Sequence, residues 1–224
     1  MNNPVVVISG ATGAAAVNAA RAFAAQGASL ALISSSQAKL DALAAELALP
    51  EARILTAAGD LRSPEDVRAA AERVYAKFGR ADVLLHLVGG WTGGKKIAEL
   101  PADDLENMLS QHVWTTFHLL QAFTPGMLRN GWGRVLIISS PLAVQPSAGM
   151  SAYAVGKAAE DALLQTLAQE VKDSGVTANI LQVRSIDSTG TGKGTTPDEI
   201  TAAMLYLCSD VAARVNGARL PLYP

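Results

Sequence analysis

Three polar residues in the second half of the chain have the types and the spacing that proton transfer requires. Tyr153 follows Ser140 by thirteen positions, and Lys157 follows Tyr153 by four. Residues four apart on a helix share one face, so the phenol and the ammonium can point into one cleft. A nearby ammonium favours tyrosinate, which prepares the phenol to give or take a proton near neutral pH, and a serine hydroxyl can hold a substrate oxygen. We therefore predict that Ser140, Tyr153 and Lys157 are catalytic.

A tyrosine and a lysine at this spacing also arise by chance on the surface of a helix. Two further features favour a reactive site over that alternative. An apolar run, Arg134–Ser139, ends directly at Ser140, as a buried strand does when it delivers a side chain to the edge of a sheet. A glycine-rich turn, Ser9–Ala16, follows the first apolar run of the chain. Together these features predict one site on a scaffold of strands and helices.

The glycine-rich turn suits a phosphate group, because it runs directly into a helical segment. Glycine allows a tight turn and a close approach of the backbone to a pyrophosphate, and the helix N-terminus supplies amide donors. An ordinary glycine turn between a strand and a helix is the alternative. We predict that a dinucleotide cofactor contacts this turn at Ser9, Gly10, Thr12, Gly13 and Ala14.

The end of the second apolar run indicates which dinucleotide the chain prefers. An acidic residue there would bond the adenosine ribose hydroxyls and repel a 2′-phosphate. The chain has Ser34, Ser35 and Ser36 instead, with Lys39 one turn later. Hydroxyls and a nearby cation suit NADPH, so we predict that these serines bind the cofactor and that NADP(H) is favoured over NAD(H). The same serines also suit the N-cap of a helix.

Short apolar runs alternate with longer segments of helical periodicity, which is typical of a parallel sheet covered by helices on both faces. The runs predict strands at Val5–Ser9, Ser29–Ile33, Arg53–Ala57, Val83–Leu87, Arg134–Ser139, Thr177–Val183 and Arg219–Leu222. The helical segments are Ala14–Gln26, Gln37–Ala48, Pro64–Phe78, Asp103–Leu120, Ala152–Asp173 and Pro197–Cys208. No composition shift or repeat divides the chain. We expect one α/β domain over residues 1–224, a Rossmann-like, doubly wound parallel sheet of about seven strands with helices on both faces.

Long connections leave the predicted fourth, fifth and sixth strands, at 88–100, 141–151 and 184–196. In a parallel sheet all three project from the carboxyl edge, where folds of this kind bind their ligands. We therefore expect the site at that edge of the sheet.

The overall composition narrows the partners and the compartment. The 224 residues are 50% hydrophobic and carry a formal net charge of -2, so nothing favours nucleic acid or an anionic membrane as a partner. No apolar stretch has the length of a transmembrane helix, and the N-terminus lacks the pattern of a signal peptide. The single cysteine, Cys208, suits a reducing cytoplasm and a buried position in its apolar helix. The three histidines lack the spacing of a metal motif, so we expect no metal.

These features resemble the short-chain dehydrogenase/reductase family over nearly the whole chain. The matching segments are Ser9-Gly10-x-x-Gly13, Asp60-Leu61, Ile138-Ser139-Ser140, Tyr153-x-x-x-Lys157, and Leu205–Asp210 with Val215-Asn216-Gly217.

The resemblance implies an NAD(P)-dependent oxidoreductase in which Ser140 polarises a substrate carbonyl or imine and Tyr153 is the acid/base. Lys157 would assist Tyr153 and hold the nicotinamide ribose. The other cofactor contacts would be Asp60, Leu61, Val88, Gly89, Gly90 and Ile186. The resemblance also implies a homodimer or homotetramer packed through the helices Asp103–Leu120 and Ala152–Asp173.

Departures from the family pattern bear on the mechanism. The family's Asn-Asn-Ala-Gly after the fourth strand is His86–Gly89 here, and the helix asparagine of its proton relay aligns with His112. A histidine can donate, accept and titrate near neutrality, so His112 is a candidate catalytic residue, with a packing role as the alternative. The Pro-Gly after the sixth strand is Val183-Arg184, and a short loop of glycine, threonine and serine follows. Such a loop argues against an enclosed steroid or long acyl chain.

One local segment narrows the substrate. Gly89–Gly94, with Val113-Trp114-Thr115 on the next helix, resembles the dihydropteridine reductase branch of the family, although that branch is not expected to have a serine at position 140. Trp91 can stack on a flat heterocycle, or it can simply anchor its loop. Arg184 would lie at the mouth of the site, where a solvated charge is the alternative. We expect Trp91, Ser140 and Arg184 to contact a small-molecule substrate.

The leading hypothesis is an NAD(P)H-dependent reductase of a carbonyl, quinone or pterin-like molecule. A catalytically weak, NAD(P)-binding regulator or redox sensor on the same fold is the alternative, since the relay asparagine is missing and the substrate loop is short. A purely structural subunit is a third hypothesis, which the three intact polar residues disfavour.

Overall fold

Seven parallel strands form one sheet in the computed structural model, which describes residues 3–223. The strands are β1 (Val5–Ser9), β2 (Ser29–Ser34), β3 (Ile54–Ala58), β4 (Val83–His86), β5 (Gly133–Ser139), β6 (Val176–Gln182) and β7 (Arg219–Pro221). Their order is β3-β2-β1-β4-β5-β6-β7, and each neighbouring pair is parallel. The predicted α/β fold with a sheet of about seven strands is confirmed.

Helices connect the strands and cover the sheet. They are α1 (Ala14–Ala25), α2 (Gln37–Leu47), α3 (Pro64–Phe78), α4 (Ala102–Leu109), α5 (Thr115–Asn130), α6 (Ser151–Glu170) and α7 (Pro197–Cys208). Local residues set several of these ends. Ser63 accepts a hydrogen bond at the start of α3, Gly79 ends that helix in the left-handed conformation, and Thr196 begins α7 with a capping box.

The sheet is buried on both faces because its strands are apolar at successive positions. Val5 and Val7 of β1 join the core beneath α3, α5 and α6, whereas Val6 and Ile8 join the core beneath α1, α2 and α7. Successive side chains of a strand point to opposite faces, so one unbroken apolar run serves both layers. Polar side chains therefore occur at the carboxyl ends of the strands, at the edge of the sheet.

The strand order reverses direction between β1 and β4. From β1 the chain proceeds outward to β2 and β3, and it then crosses back to place β4 on the other side of β1. Connections from these two strands therefore leave in opposite directions. A crevice opens at the carboxyl edge between them, which is where doubly wound sheets bind their ligands.

The helix predicted at Asp103–Leu120 differs from the structure in two ways. A single π-helical turn, Ser110–Trp114, divides it into α4 and α5, and α5 continues to Asn130 although it contains Pro125. Phe123 and Met127 are fully buried, and their burial outweighs the cost of about 3 kcal/mol for an internal proline. The predicted end at Leu120 was therefore wrong, because tertiary packing overrides the local helix-breaking residue.

The apolar segment around Cys208 lies in the core, as the sequence predicts. Cys208 is buried at the end of α7, and burial raises the pKa of its thiol to about 12, so the thiol is protonated and unreactive. Within residues 3–223, no helix has both the length and the apolarity needed to cross a membrane.

Candidate active site

Two adjoining cavities occupy the crevice at the carboxyl edge. We call the first the β2 cavity, of about 560 Å³, because it extends to the end of β2. We call the second, of about 200 Å³, the Tyr153 cavity. The two share Gly13, Leu87, Val88 and Gly89 as lining residues. An elongated ligand could therefore extend from one cavity into the other past the start of α1.

The β2 cavity brings together most of the residues that the sequence predicts for the adenosine half of a dinucleotide. The predicted residues that line it are Gly10, Thr12, Gly13, Ser34, Ser35, Asp60, Leu61, Val88 and Gly89. Thr12 Oγ1 and Ser34 Oγ share a hydrogen bond of 3.0 Å, which joins the glycine turn to the end of β2. No carboxylate stands at the end of β2, where an NAD-specific site would place one.

Ser36 is placed differently from its two neighbours. Its hydroxyl accepts a hydrogen bond from the backbone N–H of Lys39 at 3.4 Å and caps α2, and Ser36 does not line the cavity. Of the two roles predicted for this serine, the structure supports the helix N-cap. Lys39 is exposed on α2 and also does not line the cavity.

Arg62 is a cavity residue that the sequence analysis missed. Its guanidinium binds Asp60 through two nitrogens, with the shortest contact at 2.7 Å, and holds the pKa of that carboxyl below its usual range. Arg62 itself lines the β2 cavity. The position of an arginine two residues after Asp60 was visible in the sequence, but only the turn after β3 brings it toward Ser34 and Ser35.

The start of α1 fits a phosphate group. Gly13 is the N-cap and offers no side-chain cap, and the first turn contains no acidic residue, so no carboxylate competes for the free amides there. Because Gly13 lines both cavities, a pyrophosphate at this position would lie between the two halves of a dinucleotide. The residues present therefore fit the cofactor that the sequence predicts.

Gly10 is required by the protein backbone itself. Its φ is +69°, and an added Cβ would lie 2.8 Å from the carbonyl carbon and oxygen of Leu87 and 2.9 Å from Val88 N. Gly10→Ala should therefore lower the free energy of unfolding by about 2 kcal/mol or more, because both the conformation and the contact are unfavourable. Urea denaturation measures this loss.

Gly13→Ala is the matched control for Gly10→Ala. A Cβ at Gly13 would meet only Gly10 O, at 3.5 Å, which is an ordinary contact. We expect Gly13→Ala to leave the urea midpoint near that of the wild type. Equal midpoints for the two alanine variants would contradict the steric argument.

The Tyr153 cavity contains the tyrosine and the lysine of the predicted catalytic set. Both lie on α6. The other predicted residues that line this cavity are Gly13, Ala14, Val88, Gly89, Gly90, Arg184 and Ile186. Lys157 is buried and donates hydrogen bonds to Ile138 O and to Glu160 Oε2, each at 2.7 Å. An ammonium has three N–H groups, so one remains for a ligand in the cavity.

Ser140 lies at the end of β5 but is not among the residues that line the Tyr153 cavity, whereas Ser139 is. Ser140 is buried, and its Oγ accepts a hydrogen bond from Leu142 N at 3.2 Å, which starts a short 3-10 turn. Its own O–H hydrogen remains available as a donor.

Ser9 is buried beneath the glycine turn and lines neither cavity. Its hydroxyl is 2.7 Å from His86 Nδ1, at the carboxyl ends of the neighbouring strands β1 and β4. In the structure Ser9 therefore packs beneath the glycine turn and does not line the crevice. The sequence predicted a direct contact with the cofactor.

His112 is turned inward by the π-helical turn and is fully buried. Its Nε2 lies 3.1 Å from Gly90 O, and its ring packs edge-on against Tyr153 with the centroids 5.6 Å apart. Burial and the nearby charge of Lys157 lower the pKa of His112 to about 3. The expectation that His112 titrates near neutrality was wrong, because the imidazole has no solvent to stabilise its cation.

The loop after β6 is ordered by one carboxylate. Asp187 accepts hydrogen bonds from the backbone N–H groups of Thr189, Thr191 and Gly192. Arg184, before this loop, lines the Tyr153 cavity and lies over the ring of Tyr223 at 4.9 Å from the centroid. Arg184 therefore borders the Tyr153 cavity, and its contact with a substrate stays a prediction.

Trp91 is 59% exposed and does not line the Tyr153 cavity. Its ring covers Gly93, where an added Cβ would lie 2.9 Å from Trp91 Cζ2 and 2.7 Å from Met150 Sδ. This packing supports the loop-anchor interpretation, and the exposed part of the ring remains open to solvent. Within residues 3–223, no group of three or more potential ligands is arranged to hold a metal ion.

The reversed strand order, the uncapped start of α1 and the two adjoining cavities define a doubly wound α/β protein that binds dinucleotides. Within this class, residues 4–199 match the short chain dehydrogenase family. The chain belongs to that family and is an oxidoreductase of the NAD(P)-binding kind that the family comprises.

Relatives across the family support this assignment. D-threitol dehydrogenase of Mycolicibacterium smegmatis is 29% identical over an alignment that covers 98% of this chain and 91% of the relative. The 7alpha-hydroxysteroid dehydrogenase of Escherichia coli K12 is 28% identical, with 70% and 68% covered. The crystal structure of a short chain dehydrogenase from Bacillus anthracis superimposes with a TM-score of 0.87 at 26% identity, covering 99% of this chain and 98% of that one.

Proposed function

We propose that the protein is an NAD(P)H-dependent reductase that acts on a small carbonyl, quinone or pterin-like molecule with Tyr153 as the acid. One observation carries the proposal: Tyr153 and Lys157 line a cavity that shares four lining residues with the β2 cavity of about 560 Å³ at the glycine turn. When bound, the reduced nicotinamide supplies the hydride. The residues of the chain supply the proton and hold the reacting oxygen.

Each polar residue has a distinct part in this reaction. The Tyr153 hydroxyl gives its proton to the oxygen of the substrate as that oxygen becomes negative. Lys157 presents its remaining N–H to the cavity and keeps a positive charge beside the phenol. Ser140 lies next to Ser139, just outside the lining of the cavity, and the hydroxyl hydrogen that Leu142 N leaves to it is assigned to the substrate oxygen.

The mouth of the site favours a small, polar substrate. Arg184 lies at the cavity edge, and the following loop consists of small polar residues that cannot form an apolar lid. Relatives are named for substrates as different as a steroid and a sugar alcohol, so their names do not select one for this chain. The resemblance of Gly89–Gly94 to the dihydropteridine reductase branch adds quinonoid dihydropterins to the candidates.

Ser34, Ser35 and Arg62 support a preference for NADPH over NADH, since they offer hydroxyls and a cation without an acidic residue on β2. Ser35→Asp should lower the ratio of kcat/KM with NADPH to that with NADH by roughly 10- to 100-fold, because the new carboxylate repels the 2′-phosphate. Steady-state kinetics with both cofactors measures the ratio.

Ser36→Asp is the control for this variant. Ser36 caps α2 outside the cavity, and aspartate is also a good N-cap, so the ratio should stay at its wild-type value. If both substitutions shift the ratio equally, the assignment of Ser35 to the cofactor site is wrong.

The proposed function is tested by the oxidation of NADPH and NADH by purified protein over a panel of aldehydes, ketones, quinones and a quinonoid dihydropterin. Turnover of one substrate class is the expected result. Cofactor binding without turnover on the whole panel would instead favour a regulatory, NAD(P)-binding role. The pairing of Lys157 with Glu160 is the observation that favours this second function, because it diverts part of the lysine charge from the cavity.

The two helical segments predicted to form contacts between subunits carry exposed apolar side chains. Trp114, in the π-helical turn beside α5, is 53% exposed, and Val155 on α6 is 46% exposed. Burying such side chains against a second copy would be favourable. These exposed residues support a homodimer or homotetramer.

A further inference from the structure

A buried carboxyl group lies behind the Tyr153 cavity. Glu160 is fully buried on α6, and its Oε2 accepts a hydrogen bond from Lys157 Nζ at 2.7 Å. Lys157 lines the cavity and Glu160 does not. The carboxyl group is therefore in direct contact with the lysine of the proposed site while being shielded from the substrate.

Polar side chains from three other elements face the same carboxyl. Its Oε1 lies 3.2 Å from Thr116 Oγ1 on α5 and 3.7 Å from His86 Nε2 on β4. Its Oε2 lies 3.8 Å from His112 Nδ1 in the π-helical turn. The neighbouring Asp161 is paired with Arg219 at 3.1 Å.

Thr116 has one hydroxyl hydrogen and two oxygen atoms within hydrogen-bond distance. Its Oγ1 lies 2.6 Å from His112 O and 3.2 Å from Glu160 Oε1, and the hydrogen can point to one of them at a time. When the hydrogen points to His112 O, the hydroxyl presents a lone pair to Glu160 Oε1. A carboxylate would face that lone pair without a hydrogen between them, whereas a carboxylic acid would donate to it.

His86 and His112 are not candidates for storing the proton. His112 Nε2 donates to Gly90 O, so its Nδ1 is an unprotonated nitrogen, and it has no hydrogen-bond partner among the described residues. Burial and the charge of Lys157 lower the pKa of both His86 and His112 to about 3. Glu160 is thus the group in this cluster whose pKa burial moves upward, so its neutral acid is the form that burial favours.

Burial and the neighbouring charges shift the pKa of Glu160 in opposite directions. Burial is the main effect and raises the pKa of Glu160, and the charge of Asp161 acts in the same direction. The Lys157 ammonium and its hydrogen bond lower the pKa, and so does the hydrogen bond from Thr116. Both the acid and the carboxylate therefore have a source of stabilisation, which is what a group that stores and releases a proton requires.

We propose that Glu160 stores the proton that restores Tyr153 after each reduction, and that it delivers this proton through Lys157. The inference rests on the proposed function and names the internal proton source of that same site. This proton store would replace the family's proton relay, whose asparagine aligns with His112 in this chain. Glu160 acts through Lys157 and is therefore a positioning and proton-supplying residue.

Each cycle passes one proton along the site and takes one proton up from solvent. The O–H bond of Tyr153 breaks as its proton moves to the substrate oxygen, and the tyrosinate takes a proton from the Lys157 ammonium. The Lys157 amine then takes a proton from the Glu160 acid, which becomes a carboxylate paired with the restored ammonium. After the product leaves, a solvent proton that enters the Tyr153 cavity returns Glu160 to the acid by way of Lys157.

Glu160→Gln tests the proposal with little change in shape. Glutamine retains an oxygen that accepts from Lys157 but cannot release a proton, so kcat should fall about tenfold or more while KM is unchanged. The pH dependence of kcat should lose the limb that Glu160 contributes, and the solvent isotope effect on kcat should increase. Glu170→Gln, at an exposed position on the same helix, should behave as the wild type.

A second measurement does not depend on turnover. Infrared difference spectra of the free protein, recorded between acid and alkaline pH, should contain the carbonyl stretch of a buried, protonated carboxyl. Glu160→Gln should remove this band, and Glu170→Gln should retain it. Thr116→Ser should leave the pH at which the band disappears unchanged, because serine keeps the hydroxyl that faces Glu160 Oε1.

The outcomes separate this inference from the proposed function. A wild type without turnover on the whole substrate panel would contradict the proposed function. An active wild type whose kcat and pH profile are unaffected by Glu160→Gln would contradict only the proton store. Absence of the infrared band in the wild type would also overturn it, whatever the kinetics show.

Discussion

Tyr153→Phe should abolish most turnover while cofactor affinity is unchanged. The substitution removes only the hydroxyl, so the ring can keep its edge-on packing against His112. Without a proton donor at the reacting oxygen, kcat should fall by about 10²- to 10⁴-fold. Initial rates with the best panel substrate measure kcat, and fluorescence titration with NADPH measures binding.

Tyr206→Phe provides the control, because Tyr206 is half exposed on α7 and lines neither cavity. This variant should retain wild-type kcat. Wild-type kcat in Tyr153→Phe would refute the assignment of the acid. Loss of NADPH binding in Tyr153→Phe would show instead that the hydroxyl serves the cofactor.

Lys157→Met should cause a large, pH-dependent loss of stability. The substitution leaves Glu160 buried without its cation, and removing one partner of a buried pair costs about 3–5 kcal/mol where the other stays charged. Urea denaturation at several pH values measures the free energy of unfolding. The loss should approach this value at alkaline pH and be smaller at acid pH.

The direction of this pH dependence follows from Glu160. Burial raises the pKa of its carboxyl in the folded protein, so the folded state binds that proton more tightly than the unfolded chain does. Its contribution to stability is complete below the ordinary carboxyl pKa and decreases as the pH rises above it. Without Lys157 the pKa rises further, so the variant should lose stability with pH more steeply than the wild type.

Two controls isolate the buried pair. Adding Glu160→Gln to Lys157→Met removes the titratable group, and the double variant should lose the steep pH dependence. Lys95→Met breaks the exposed pair with Asp104, which should cost about 1 kcal/mol or less. A uniform loss with pH in Lys157→Met would contradict the role of Glu160.

The amino-acid sequence determines the scaffold and the approximate place of the site. Apolar strands of a few residues, separated by amphipathic helices, specify a doubly wound sheet because the periodicity of each segment is a local property. The spacing of Tyr153 and Lys157 places both on one helix face for the same reason. These predictions needed no knowledge of distant contacts.

Boundaries and side-chain roles were harder to predict. The continuation of α5 through Pro125 depends on burial of Phe123 and Met127. Ser35 and Ser36 are neighbours of the same type, yet one lines the β2 cavity and the other caps α2. The direction in which the chain turns after β2 decides between them, and that direction is not encoded in residue type.

The tertiary structure alone revealed the electrostatic environment of the site. Glu160 lies three positions after Lys157 and could have been an exposed helical partner, whereas folding buries it against His86 and His112 from β4 and the π-helical turn. Burial shifts the pKa of all three groups, because their charges lose hydration that only partners can replace. The sequence by itself therefore determined the fold and the candidate residues Tyr153 and Lys157, and the packing of distant elements decided which buried groups surround them.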